Sequence, residues 1–222
     1  MLALRRIPRA LLPRRRLHLE TWIHDNRDSL SPPVSNALLY GDGVLKVMLV
    51  GGRHGNARTD FHVEAGEELF FQLRGDMRLD VVHAGEHRSI PIREGEALLL
   101  PGGVPHSPQR FPDSIGLVLE RERASHELDY LQWYIPGTTE LLYQESFHCT
   151  DLGTQLKPVI ERFLASPEHS TLTPRAPGVL QEPAAHPPGL LGEAFDWAGR
   201  VGGLGTGVHR VLDSEFVVTV AV

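Results

Sequence analysis

Two histidines and one glutamate are the residues of this chain whose types and spacing suit a metal site. His62 and Glu68 stand close together in the sequence, and His106 follows further along. Two imidazoles and one carboxylate form the donor set that holds ferrous iron in oxygenases while leaving neighbouring coordination positions open. The three residues therefore predict an Fe2+ centre at which an organic substrate and dioxygen could bind side by side.

Each of these histidines belongs to a longer pattern with glycine and proline at fixed separations. The two patterns are His62-x-Glu64-x3-Glu68-x6-Gly75 and Gly95-x5-Pro101-x-Gly103-x2-His106. Glycine and proline at such places are typical of tight corners between strands. In an extended segment, residues an even number of positions apart point to the same side, as His62, Glu64 and Glu68 would. Geometry alone therefore does not exclude Glu64 as a metal ligand.

The elements that must position these residues are short β-rich segments separated by glycine turns. The segments cover residues 44–50, 68–73, 78–83, 87–92, 97–101 and 115–120. Strands with such even spacing predict an antiparallel sandwich or barrel. The expected fold class is all-β, a jelly-roll barrel.

Helical periodicity and turn residues flank this β-rich region. Amphipathic spacing predicts a short helix over 18–30, a helical or mixed segment over 126–135 and a longer helix over 152–165. The Pro-rich stretch 166–193 predicts a linker, and 215–222 predicts an edge strand. The organisation expected is a basic disordered extension over 1–18, a main domain over 19–165 and an irregular tail over 166–222, in which a linker leads to an incomplete or divergent C-terminal segment.

Charge and composition exclude several classes of protein. Residues 1–19 hold six arginines and no acidic residue, whereas the rest holds 16 Lys and Arg against 28 Asp and Glu, a formal charge of −12. An acidic body argues against nucleic acid as a partner. No apolar run reaches the roughly 18 residues of a membrane-spanning helix. The basic start leaves a mitochondrial targeting segment open beside the cytoplasmic location that we expect.

The single cysteine, Cys149, excludes an intramolecular disulfide and a cysteine-only metal site within this chain. His148 adjoins it, but neighbouring side chains on a strand point to opposite faces, so a catalytic pair is not expected. We interpret Cys149 as a structural or surface thiol. This interpretation fits a reducing compartment.

The two histidine patterns resemble the two motifs of the cupin superfamily. Glu64 stands where cupins have a second histidine, and Arg110 stands where they have asparagine. The resemblance implies a three-ligand site, with Glu68 favoured over Glu64 because Glu68 holds the motif position. An octahedral ion held by three ligands has one open face.

A closer resemblance covers roughly residues 19–165 and is to the 3-hydroxyanthranilate 3,4-dioxygenase family. The resemblance rests on the segments LKVMLVGG (45–52), DFHVEAGEELFFQLRGDM (60–77), IREGEALLLPGGVPHSPQRF (92–111), IGLVLER (115–121) and CTDLGTQLKPVI (149–160). It implies Fe2+ on His62, Glu68 and His106. Residues 189–222 do not resemble the family, and one cysteine cannot provide the second, rubredoxin-like iron site of its bacterial members.

The family resemblance also implies roles for the residues around the iron. Arg58 would lie at the dioxygen side as a catalytic residue, Arg110 would bind the substrate carboxylate, and Glu120 would act on the phenol or amino group. Arg58 and Glu68 would also contact the substrate. The implied reaction opens the ring of 3-hydroxyanthranilate with O2 to give 2-amino-3-carboxymuconate semialdehyde, in the kynurenine route to quinolinate and NAD.

Two alternatives stay open at this point. The chain could be a catalytically impaired isoform that serves as a binding module, or a cupin oxygenase for another aromatic carboxylate such as gentisate. In each case the expected partners are a small aromatic molecule and dioxygen, with the protein a monomer or a homodimer.

Overall fold

The structure is a computed structural model that describes residues 18–26, 30, 36–41, 43–52, 58–174, 191–205, 208–213 and 217–221. The predicted basic extension falls almost wholly outside these residues, as does most of the predicted linker. Within the described part of the chain, no helix is long and apolar enough to cross a bilayer.

Strands make up most of the described elements. The strands are β1 Asn36–Tyr40, β2 Leu45–Gly52, β3 Phe61–Val63, β4 Glu68–Arg74, β5 Met77–His83, β6 Glu86–Ile92, β7 Glu96–Leu100, β8 His106–Arg110, β9 Ser114–Arg121, β10 Asp129–Tyr134, β11 Leu141–Phe147, β12 Phe195–Asp196, β13 Val208–Asp213 and β14 Val217–Ala221. The helices are α1 Leu19–Asp25, α2 Leu152–Leu164, α3 Pro167–Thr171 and α4 Trp197–Gly202.

Two antiparallel sheets form the body of the described structure. One has the strand order β1-β2-β9-β4-β7-β12, and the other has the order β11-β10-β3-β8-β5-β6. Consecutive strands often lie in different sheets, as β3 and β4 do, which is the connectivity of a jelly roll. The predicted all-β jelly roll is therefore confirmed, and each of the six predicted strand segments lies within two residues of an observed strand.

The core lies between the sheets and is built from the inward-facing residues of both. It contains Met48, Phe70, Met77, Leu79, Val81, Ile90, Ile92, Leu98, Leu100, Val104 and Val118. On β9 burial alternates strictly, so that Gly116, Val118 and Glu120 share the buried face. A strand with period two carries Glu120 inward with its apolar neighbour Val118.

The helix predicted over 152–165 is confirmed as α2. It packs on β10 and β11, where Phe163 stacks on Trp133 with ring centroids 4.2 Å apart and planes 17° apart. Burial of its apolar face against a sheet stabilises such a helix more than intrinsic propensity does.

The helix predicted over 18–30 is confirmed in its first part as α1, which ends at Asp25, where Asn26 closes the last turn by donating its backbone N–H to the carbonyl of Trp22. The helical or mixed segment predicted over 126–135 contains instead strand β10, whose residues 129–133 are all buried. A strand buried on both faces loses the alternation that marks a half-exposed one, and its apolar run then fits either type of element.

The C-terminal part is more regular than its sequence indicates. β12 pairs with β7 at the edge of the first sheet, and α4 follows directly. Phe195 and Trp197 pack against Phe71, Leu99 and Leu119 on that sheet. The predicted edge strand over 215–222 is observed as β14, which pairs with β13 in a separate two-stranded sheet.

Cys149 is buried between β11 and α2, with 2% of its surface exposed. Burial raises the pKa of its thiol to about 12. Since the thiolate is the reactive form, we expect negligible reaction with a disulfide reagent such as dithionitrobenzoate at pH 8 in the folded protein. Unfolding in guanidinium chloride should release one reactive thiol per chain. Rapid labelling of the folded protein would contradict the structural role of Cys149.

Candidate metal centre and its cavity

Three side chains from opposite sheets meet in the interior of the jelly roll. His62 on β3 and His106 on β8 are cross-strand partners in one sheet, and Glu68 is the first residue of β4 in the other. One potential ligand atom from each lies within 4.8 Å of the others, and all three side chains are buried. The structure therefore brings together the three residues predicted as metal ligands, in a group that could hold a metal ion.

Hydrogen bonds fix the orientation of both imidazoles. His106 Nδ1 lies 3.0 Å from the carbonyl oxygen of Val104, which directs Nε2 to 2.9 Å from a carboxylate oxygen of Glu68. His62 Nε2 lies 2.7 Å from Oδ2 of Asp129. A carboxylate or carbonyl partner of this kind commonly orients a metal-binding histidine.

Asp129 and Arg123 are parts of this site that the sequence analysis missed. The guanidinium of Arg123 donates to both carboxylate oxygens of Asp129, at 2.9 and 2.8 Å, and lies 2.7 Å from Glu120 Oε1. It is also paired with Glu64. Arg123 therefore holds three carboxylates around one buried positive charge.

Glu64 keeps two roles open in this geometry. It falls in a second possible metal group with His62 and Asp129, and in a third with Glu68 and Glu120. The contact with Arg123 gives Glu64 a counter-charge, whereas Glu68 faces His106 and lies in the group predicted from the sequence. Glu68 as the carboxylate ligand stays a prediction, which its contact with His106 favours.

Negative charge exceeds positive charge among the side chains around this centre. Five buried carboxyl groups, Asp60, Glu64, Glu68, Glu120 and Asp129, lie with the buried Arg110 and Arg123 and the part-buried Arg58, so that carboxyl groups outnumber arginines by two. Among the described residues, Oε1 of Glu64 and Oε2 of Glu120 have no hydrogen-bond partner. Burying an uncompensated carboxylate is costly, so this donor set suits a divalent cation.

The pKa of Glu120 reflects its burial and the neighbouring negative charges. Burial raises the pKa of its carboxyl to about 9, and the charges of Glu68 and Asp129 act in the same direction. A carboxyl group in this range can hold a proton at neutral pH and exchange it with a phenol, whose pKa is about 10 in tyrosine.

The six predicted site residues line one cavity of about 310 Å³: Arg58, His62, Glu68, His106, Arg110 and Glu120. Its remaining wall is largely apolar, with Met48, Val50, Phe70 and Val118 from the barrel and Leu152, Leu156, Ile160 and Leu164 from α2. A cavity with apolar walls and a few convergent polar groups is typical of small-molecule sites.

The two arginines of the cavity have different partners. Arg58 is paired with Asp60, whose Oδ1 accepts from Arg58 Nε at 3.2 Å. Arg110 is 4% exposed, and its Nη1 donates a hydrogen bond to Oε1 of the uncharged Gln72 side chain at 3.3 Å. Within the described residues no carboxylate lies within 4.0 Å of it, so Arg110 is a buried cation available to an anionic ligand.

Burial lowers the pKa of Arg110 to about 10, and the nearby charge of Arg58 acts in the same direction. The group still carries its charge at neutral pH. A planar guanidinium with this charge can bind a carboxylate through two parallel hydrogen bonds.

Gln109 is another buried polar residue that the sequence analysis missed. Its side-chain oxygen accepts from the backbone N–H of Arg58 at 3.1 Å, and its nitrogen donates to the Arg58 carbonyl at 2.9 Å. The amide therefore joins the segment before β3 to β8, where the backbone ladder between these strands includes only the pair His62 and His106. The sequence gives no local signal for such a contact.

A family model and several named proteins are similar in sequence to this chain. The model of the 3-hydroxyanthranilic acid dioxygenase family matches residues 11–164. The chain is 49% identical over 169 residues to 3-hydroxyanthranilate 3,4-dioxygenase of Bos taurus, covering 76% of this chain and 58% of that protein. It is 50% identical over 153 residues to the protein of the same name from Nematostella vectensis, covering 69% of this chain and 55% of that one.

Among solved structures, a cupin superfamily protein from Desulfitobacterium hafniense aligns with a TM-score of 0.38 and 16% identity, over 50% of this chain and 94% of that one. The chain spans a little over half the length of the curated relatives named above. The match to the family model nevertheless includes every residue that lines the cavity, from Asn36 to Leu164. The chain belongs to the 3-hydroxyanthranilic acid dioxygenase family.

Proposed function

We propose that this chain is an Fe2+-dependent dioxygenase that opens the ring of 3-hydroxyanthranilate. Both atoms of O2 enter the product, 2-amino-3-carboxymuconate semialdehyde, which forms by cleavage between carbons 3 and 4. The observation that carries the proposal is the cavity itself, in which two histidines and a glutamate face a buried arginine without a carboxylate partner among the described residues.

The metal part of the proposal rests on the donor set. His62, Glu68 and His106 would hold the ion, and its positive charge would offset the excess of carboxyl groups over arginines around the centre. Two imidazoles and one carboxylate favour ferrous iron. When bound, iron would supply the one-electron chemistry through which dioxygen can react with an aromatic ring.

The protein's own side chains would orient the substrate. Arg110 would pair with the ring carboxylate, which places the hydroxyl and amino groups toward His62 and His106. Glu120 would take up the phenolic proton or return it, in keeping with its raised pKa. Arg58, held through Asp60 and Gln109, would present positive charge at the side where dioxygen enters.

The direct test is turnover with iron measured in the same sample. Protein loaded with Fe2+ under argon should bind one iron per chain, and adding 3-hydroxyanthranilate and air should consume equal amounts of substrate and O2. Iron binding and substrate binding without O2 consumption would overturn the enzymatic proposal in favour of a binding module. Turnover of gentisate but not of 3-hydroxyanthranilate would indicate a different cupin oxygenase.

A further inference from the structure

Gln72 and Gly116 surround the guanidinium of Arg110. They are cross-strand partners in the first sheet, on β4 and β9, whereas Arg110 ends β8 in the facing sheet. Gln72 is 1% exposed, with Oε1 at 3.3 Å from Arg110 Nη1 and Nε2 donating to the carbonyl oxygen of Gly75 at 2.8 Å. The second bond fixes which end of the amide faces Arg110.

Gly116 leaves the space that this contact needs. A Cβ atom at Gly116 would lie 2.3 Å from Gln72 Oε1 and 3.0 Å from Arg110 Nη1. Glycine in the middle of a strand weakens the strand, and it often marks a close approach of another group. Here the approaching groups are the tips of Gln72 and Arg110.

The neutrality of Gln72 has a chemical consequence. The other two arginines at this centre are paired with carboxylates, Arg58 with Asp60 and Arg123 with Asp129. A carboxylate at position 72 would also orient Arg110, but it would neutralise the guanidinium and compete with an anionic ligand. An amide oxygen orients the guanidinium and leaves its charge for that ligand.

We infer that Gln72 is a specificity-determining residue, which holds Arg110 ready for the carboxylate of an aromatic substrate without neutralising it, in a space that Gly116 keeps open. The inference rests on the proposed function for the identity of the substrate. Gln72 acts through Arg110, so it is a positioning residue and has no direct role in the chemistry.

The test compares ligands with and without a carboxylate on the variant Gln72→Glu. Iron-loaded protein under argon would be titrated with 3-hydroxyanthranilate and with 2-aminophenol, which lacks the carboxylate but keeps the hydroxyl and amino groups. We expect Gln72→Glu to weaken binding of 3-hydroxyanthranilate about 10- to 100-fold, the range for a hydrogen bond to a charged group. The affinity for 2-aminophenol should change less than about threefold, which corresponds to the free energy of at most one weak hydrogen bond.

Two further variants separate specificity from damage to the fold. Gln72→Met removes the acceptor without adding charge, so it should weaken the binding of 3-hydroxyanthranilate by less than Gln72→Glu does. Gly116→Ala should weaken the binding of 3-hydroxyanthranilate but not that of 2-aminophenol. The control Gly192→Ala should change neither affinity, because a Cβ at Gly192 meets no atom within 4 Å. Melting temperature and iron content would be recorded for each variant.

The outcomes distinguish this inference from the proposed function. Equal weakening of both ligands, or no weakening of 3-hydroxyanthranilate, would overturn the role of Gln72 even if the wild type turns over substrate. Selective weakening in a protein that shows no turnover would support the role of Gln72 and reject the dioxygenase.

Discussion

Replacing Glu68 with alanine is expected to remove bound iron and to stop turnover. Glu68 supplies the only carboxylate of the predicted ligand group, and it joins two histidines of the facing sheet. We expect iron content near zero after desalting and a loss of activity well above 100-fold, since even the outer partners of metal ligands cost about 10- to 100-fold. Iron by plasma emission spectrometry and O2 uptake would be measured on the same samples.

The matched control is Glu86→Ala. Glu86 also begins a strand, β6, but its side chain is exposed and does not line the cavity. This variant should keep full iron content and full activity. If Glu68→Ala retained iron as well as Glu86→Ala does, the ligand would have to be sought in the overlapping groups that contain Glu64.

Replacing Arg110 with alanine is expected to remove recognition of the substrate carboxylate while the metal stays bound. Removing one partner of a buried charge pair costs about 2 to 5 kcal/mol, so kcat/KM for 3-hydroxyanthranilate should fall by roughly one and a half to three and a half orders of magnitude. Arg110→Lys should recover only part of this loss, because an ammonium keeps the charge but cannot form the two parallel hydrogen bonds of a guanidinium.

Iron content and a carboxylate-free ligand provide the controls for Arg110. Iron content should equal that of the wild type, and affinity for 2-aminophenol should change little. Arg78→Ala serves as the matched variant, since Arg78 lies on the neighbouring strand β5 with its side chain 50% exposed. An equal loss for Arg78→Ala and Arg110→Ala would reject the carboxylate role.

The sequence predicts much of this site because its ligands belong to a pattern set by strand geometry. His62, Glu68 and His106 lie beside glycines and a proline at corners of the jelly roll, and period-two alternation carries Glu120 inward on an apolar strand. The same alternation indicates that Gln72 points inward. On β4 the buried residues Glu68, Phe70 and Gln72 have the same parity, so Gln72 is a polar residue at an inward position.

Other parts of the site could not be found in this way. Arg123, two residues after the end of β9, contacts Asp129 at the start of β10. Strand β10 is buried on both faces, so its sequence shows no alternation. Gln109 contacts the backbone of Arg58 in the segment before β3, which leaves no trace in local periodicity. Contacts of this kind depend on which segments far apart in the sequence come together, which local sequence patterns do not specify.

The pairing of β12 with β7 gives residues far from the cavity a protective role. A strand at the border of a sheet presents unpaired N–H and C=O groups that can recruit a strand from another molecule. Only two residues of β12 form the ladder, but Phe195 and Trp197 shield the adjoining apolar side chains Phe71, Leu99 and Leu119. Residues 195–197 therefore cover part of the border at which a strand of another molecule could otherwise pair with β7.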